Sequence, residues 1–149
     1  MPCISEQEFT YKACKGYQPA IDLCNQYFHV CQVWDDLIDK DRPLSDTEIN
    51  NTFISALFEI PSNHFYRANF DYLKGVMFSG VIDWMDANDL EKGTDHQKMV
   101  AYTLRDNFNN LLIHCAYLIG GKAWMHEIRK QLRLDVYDES LDAYMESLK

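Results

Sequence analysis

Three copies of one four-residue signature constrain this chain more than any other feature: SEQE from Ser5 to Glu8, SDTE from Ser45 to Glu48 and TDHQ from Thr94 to Gln97. In each, a hydroxyl is spaced to accept the backbone N–H three residues on, and an acid or amide is spaced to reach back to the first residue's N–H. That is how a helix start satisfies its orphan donors. Three helix starts in 149 residues, with only six glycines and four prolines, leave little chain for turn-rich β architecture. The chain is therefore expected to be all-α, a single-domain antiparallel helical bundle of about five to seven helices over residues 1–149. This length buries a core without disulfides or metals as staples.

The signatures divide the chain. A short helix is predicted from Ser5 to near Gly16, and a second from about Pro19 to Lys40, closed by Arg42 and Pro43. A third follows Ser45, carries Ile49, Phe53, Ala56 and Leu57 on its packed face, and stops at Pro61. Ser62 and Asn63 cap a long helical region from His64 to Glu91, bent near Gly75 and Gly80. The Thr94 box opens a helix that Gly120 and Gly121 close, and Lys122–Leu132 and Asp138–Leu148 are two shorter amphipathic pieces.

Composition excludes some function classes. A formal charge of −9 is unsuited to neutralising nucleic-acid phosphates, so no direct nucleic-acid binding is expected. Apolar runs fall well short of the roughly 20 residues that cross a bilayer. The start MPCISEQEF has no basic segment followed by an apolar one, so a cytoplasmic protein without membrane association is expected. Cys3, Cys14, Cys24, Cys31 and Cys115 are odd in number and contain no C-x-x-C pair, which predicts free thiols filling the core.

One stretch resists this plain reading. In HVCQVWDDLIDKDRP, Asp35, Asp36 and Asp39 fall where the second helix is still apolar. At about 100° per residue, Asp35 continues the stripe of Cys24, Phe28 and Cys31, Asp39 lies about 40° away, and Asp36 flanks them at about 100°. Unpaired buried carboxylates cost several kcal/mol, so they must be protonated, paired or bound to a cation. Carboxylates at i, i+3 and i+4 suit a hard ion such as Mg²⁺ or Mn²⁺, which takes phosphate oxygens for its other positions. The plainer alternative is a solvated helix end.

VIDWMDANDLE adds Asp83 and Asp86 on a helix apolar all round, which predicts a central position in the bundle. If it lies against the Asp35 helix, Asp83 and Asp86 complete one ion site. Arg105, at the margin of the stripe of Val100, Leu104, Phe108, Leu111 and Cys115, is the first candidate phosphate ligand or counter-charge, and Arg67 the second. The five histidines show no zinc or di-iron spacing, and no P-loop, Rossmann or G-x-S-x-G motif is present.

DDLID resembles the D-D-x-x-D motif of class I terpenoid and isoprenyl diphosphate synthases, which implies Mg²⁺ held by Asp35, Asp36 and Asp39 and, through it, a substrate diphosphate. The paired D-x-x-D runs at Asp36/Asp39 and Asp83/Asp86 are similar in layout to the metal motifs of all-α nucleoside triphosphate pyrophosphatases. Over the whole chain, HVCQVWDDLIDKDRPLS, IPSNHFYR and LIGGKAW look like small helical proteins of tailed bacteriophages. Two functional expectations follow. One is Mg²⁺-dependent binding of a phosphate-bearing small molecule, with hydrolysis of that molecule as the reaction if the chain is an enzyme. The other is a non-enzymatic acidic interaction protein, phage-encoded, that engages a basic host protein.

Overall fold

A computed structural model of the chain describes residues 5–136 and 139–149, with helices and no strand among them. Helix α1 is Glu6–Ala13, α2 Gln18–Asp39, α3 Asp46–Ile54, α4 Ile60–Ser62, α5 His64–Ala68, α6 Phe70–Leu90, α7 Asp95–Arg105, α8 Asn110–Gln131 and α9 Leu141–Ser147. All three signatures work as helix starts. Ser5, Ser45 and Thr94 each accept the expected backbone N–H, and at Thr94 the Gln97 side chain also completes the reciprocal bond. Residue Cys3 and the predicted start at Asp138 lie outside the described residues.

Several boundaries differ from expectation. The break in the long segment predicted from His64 to Glu91 falls at Asn69, whose side-chain amide donates to the Phe65 carbonyl, and α6 runs straight through Gly75 and Gly80. Gly80 does not bend the helix; it lets α2 approach, since a Cβ there would stand 2.9 Å from the Tyr27 hydroxyl. The helix predicted from Thr94 to Gly120 is divided by a 3₁₀ turn over Asp106–Asn109. Conversely, α8 continues past Gly120, kinked at Gly121, where φ is 85° and ψ −175°. The kink brings Trp124 back over Gly120 and aims its indole N–H at the Ala13 carbonyl of α1, 2.9 Å away.

The core lies among α1, α2, α6 and α8 and contains Phe9, Leu23, Leu73, Leu111 and Ile128. Four free thiols, Cys14, Cys24, Cys31 and Cys115, are buried in it, with Cys24 and Cys115 Sγ atoms 3.8 Å apart. Sequence neighbours α6 and α7 form an antiparallel hairpin, extended by the 3₁₀ turn after α7, where Asn107 meets Asp83 and Phe108 meets Trp84. α2 and α6 run parallel, because the α3–α5 crossover returns the chain to the same end: Tyr27 reaches Met77, and about two turns later Trp34 reaches Trp84. A small satellite core of Ala87, Ala101 and Tyr144 holds α9.

α6 is not enclosed as its all-round apolar sequence predicts. α2 and α7 flank one side of it, burying Leu73, Gly80, Trp84 and Ala87, while Phe78, Ile82 and Met85 open outward. α3 departs further. Its inner face is Thr52, followed by Ile60 after one turn of π-helix over Ser55–Glu59 that rotates the chain. Phe53 and Leu57, expected to pack, are 55% and 61% exposed, beside Ile54 and Phe58 at 46% and 65%.

Candidate functional site

The five aspartates do not share one site. Asp36, expected at the edge, is the most buried, 5% exposed, because α2 is packed on two sides and this edge faces α3. Its counter-charge is Arg42, which sequence reasoning did not single out. The left-handed Lys40 ends α2 and turns the chain back. Arg42 Nε then donates to Asp36 Oδ2 at 2.8 Å, Gln32 donates to Oδ1 at 3.2 Å, and Arg42 Nη1 reaches Glu48 at 3.2 Å. The pairing staples the end of α2 to the first turn of α3. Asp39 and Asp86 are exposed, and Asp83 accepts the Asn107 amide at 2.6 Å. Among the described residues no group of three or more His, Cys, Asp or Glu is placed to hold a metal ion.

Arg105 is largely committed to structure. Its Nε donates to Glu91 at 2.5 Å and to the Tyr144 hydroxyl at 3.4 Å, and Nη2 donates to Asn88 at 2.6 Å. Tyr144 in turn donates to Glu91. Burial, then that bond to a carboxylate, pushes the Tyr144 hydroxyl up to about 12. The group ties α9 to the α6–α7 hairpin. Arg67 is exposed in the last turn of α5, a helix whose capping residue Asn63 donates to the Pro19 carbonyl at the end of α2 opposite the aspartates.

Asp35 keeps the inward direction read from the helix wheel. It borders a cleft of ≈ 250 Å³ whose walls are Phe28, Cys31, Gln32, Trp84, Arg105 and Phe108, so α2, α6, α7 and the 3₁₀ turn each contribute. The Trp84 indole N–H donates to Asp35 Oδ1 at 3.1 Å. Phe28 and Gln32 also wall a broader groove of ≈ 740 Å³ that includes Glu6, Thr10, Asn25 and His29. Burial, reinforced by the neighbouring charge of Asp39, raises the Asp35 carboxyl above its ordinary value, against the opposing pull of Trp84 and Arg105. The aromatic walls were in principle legible, since Phe28 is on the Asp35 stripe and Trp84 follows Asp83 directly. Their convergence depends on the parallel α2–α6 pairing, which carries no sequence signal.

The sign of the Asp35 shift predicts a pH signature. A carboxyl whose value is higher folded than unfolded penalises the fold once it ionises, so the penalty is complete above the folded value. It disappears as pH falls below the unfolded value of 3.8. Asp35→Asn keeps an acceptor for Trp84 and removes the penalty. The variant is expected to melt slightly higher than wild type at neutral pH, by less than ~1 kcal/mol because solvent screens a half-exposed group. The gap closes in acid. Melting curves across pH check this, and a variant less stable at neutral pH contradicts it.

No protein-family model matches the chain, and neither curated proteins nor solved structures gave a match. No described helix is long and apolar enough to cross a membrane.

Proposed function

We propose that the chain is a non-enzymatic interaction protein whose acidic, apolar surface engages a basic partner protein. The observation that carries this reading is the ridge of Phe53, Ile54, Leu57 and Phe58 on α3 and its π-turn, four large apolar side chains open to solvent within six residues. Monomeric surfaces seldom leave so much contiguous apolar area uncovered without an interaction to cover it. Two i, i+4 pairs form the ridge, the spacing by which a helix presents anchors to a groove. From Pro43 to Tyr66 there is no Lys or Arg, while Asp46, Glu48 and Glu59 flank the ridge. Two copies of the chain would bring those acids together, whereas a partner with basic residues beside its apolar groove or helix complements them. On the resemblance to tailed-phage proteins, that partner belongs to the host.

The Mg²⁺ and phosphate reading finds less support, since Asp36 is paired with Arg42 and Arg105 with Glu91. Titration calorimetry compares the two readings. Wild type is expected to bind a synthetic basic amphipathic helix in a salt-dependent manner and to ignore an acidic counterpart. Phe53→Ser/Phe58→Ser is expected to weaken binding roughly tenfold or more, as loss of aromatic anchors does. Its fold should persist, because these side chains are exposed. Equal binding by the variant, or none by wild type, removes the interaction reading. Heat on adding Mg²⁺ or Mn²⁺ that Asp35→Asn abolishes would restore the metal reading.

A further inference from the structure

The cleft beside Asp35 is separate from the α3 ridge and is built differently. It places one carboxylate and one guanidinium on a small aromatic-walled space. Neither charge is fully used. Trp84 supplies the one N–H that reaches Asp35 among the described residues. On Arg105, Glu91, Tyr144 and Asn88 take Nε and Nη2, and Nη1 has no acceptor within hydrogen-bond reach among the described residues. Phe28 and Phe108 supply apolar surface between them, backed by an edge of the almost fully buried Trp84, whose ring is tilted against Phe108 at 6.2 Å.

We propose that this cleft binds a small zwitterion with an apolar body, a free α-amino acid of the leucine or methionine type, with its ammonium on Asp35 and its carboxylate on Arg105. Size favours such a ligand over a nucleotide. At roughly 30 Å³ per water in the liquid, ≈ 250 Å³ corresponds to about eight waters; bonded atoms pack more tightly than separate waters, so the space holds a free amino acid and is too small for a nucleotide. Polarity favours it over a simple cation or anion, because either alone would face a like charge across the cleft. The carboxyl of Asp35, raised by burial and by Asp39, gains most from an ammonium, which offsets both influences. An arginine fork with a free nitrogen accepts a carboxylate without breaking its bonds to α6 and α9. The site does not depend on the ridge having a partner.

The test dissects one ligand. L-leucine, isopentylamine and 4-methylpentanoate share an apolar body and carry both charges, the cation alone or the anion alone. Binding is read by calorimetry and by the fluorescence of Trp84, with Trp84→Phe identifying its part of the signal. Wild type is expected to bind leucine at least roughly tenfold more tightly than either single-charge analogue, the factor a charged hydrogen bond supplies. Asp35→Asn, which keeps its fold, is expected to lower leucine and isopentylamine binding by a similar factor and to strengthen 4-methylpentanoate binding, because the like charge facing that anion is gone. Phe53→Ser/Phe58→Ser is expected to bind leucine like wild type, which separates this site from the ridge. Equal binding of all three ligands, no binding of leucine at millimolar concentration, or leucine binding indifferent to Asp35→Asn overturns the proposal.

Discussion

Trp84→Ala is expected to lower the unfolding free energy by about 3–5 kcal/mol, the cost of removing a buried large aromatic side chain. For a domain whose total stability is of order 5–15 kcal/mol, this leaves a marginal fold. The indole is 2% exposed and joins three elements: it packs edge-on against Trp34 of α2, tilts against Phe108 of the 3₁₀ turn, and donates to Asp35. Two further variants separate packing from hydrogen bonding. Trp84→Phe keeps much of the ring and deletes the N–H, so its smaller loss includes the cost of leaving Asp35 without its donor. Adding Asp35→Asn to Trp84→Phe should recover part of that loss, a coupling that urea unfolding of the four-member cycle measures. Independent, additive effects would mean that the 3.1 Å contact contributes nothing.

Gly121→Ala is expected to cost about 1–3 kcal/mol, although no atom obstructs the new methyl. With φ 85° and ψ −175°, the residue occupies a backbone region that is almost exclusive to glycine, so the penalty is conformational and not steric crowding from neighbours. Straightening α8 to relieve it would carry Trp124 away from the Ala13 carbonyl and loosen α1. Gly75→Ala is the control of opposite sign: it lies within α6 at ordinary helical φ with open space around it, and should stabilise by about 0.5–1 kcal/mol. Paired thermal melts test both. A Gly121→Ala protein as stable as wild type would show that the kink is not required.

What the sequence revealed was local chemistry. A capping hydroxyl acts on an N–H three residues away, so Ser5, Ser45 and Thr94 mark helix starts whatever the tertiary context. The all-α fold follows from those starts and the sparse turn residues. Asp35 was placed correctly for the same reason, since its direction depends only on the turn angle of α2. Errors arose where the backbone changes its winding. The π-turn over Ser55–Glu59 and the 3₁₀ turn over Asp106–Asn109 each shift the phase of everything that follows. A wheel drawn at constant angle therefore misplaces Leu57 and joins α7 to α8, whereas Phe53 precedes the π-turn and points outward because α3 turns its Thr52 face to α2. The exchange of roles between Asp35 and Asp36 has another cause. A helix packed on two sides has two inward directions, and only the one lined by apolar residues is visible in a pattern; the other is recognised by Arg42, six residues on and across a left-handed turn.

The four enclosed thiols have a practical consequence. A thiol reagent needs both access and a thiolate, and burial denies the first and suppresses the second, pushing Cys31 up to about 12. Cys14, Cys24 and Cys115 bridge α1, α2 and α8, so they become reachable only when those helices part. The rate at which each is alkylated in native buffer thus reports the free energy of opening at its own position, without any introduced label. The protein carries its own gauge of which part of the core lets go first.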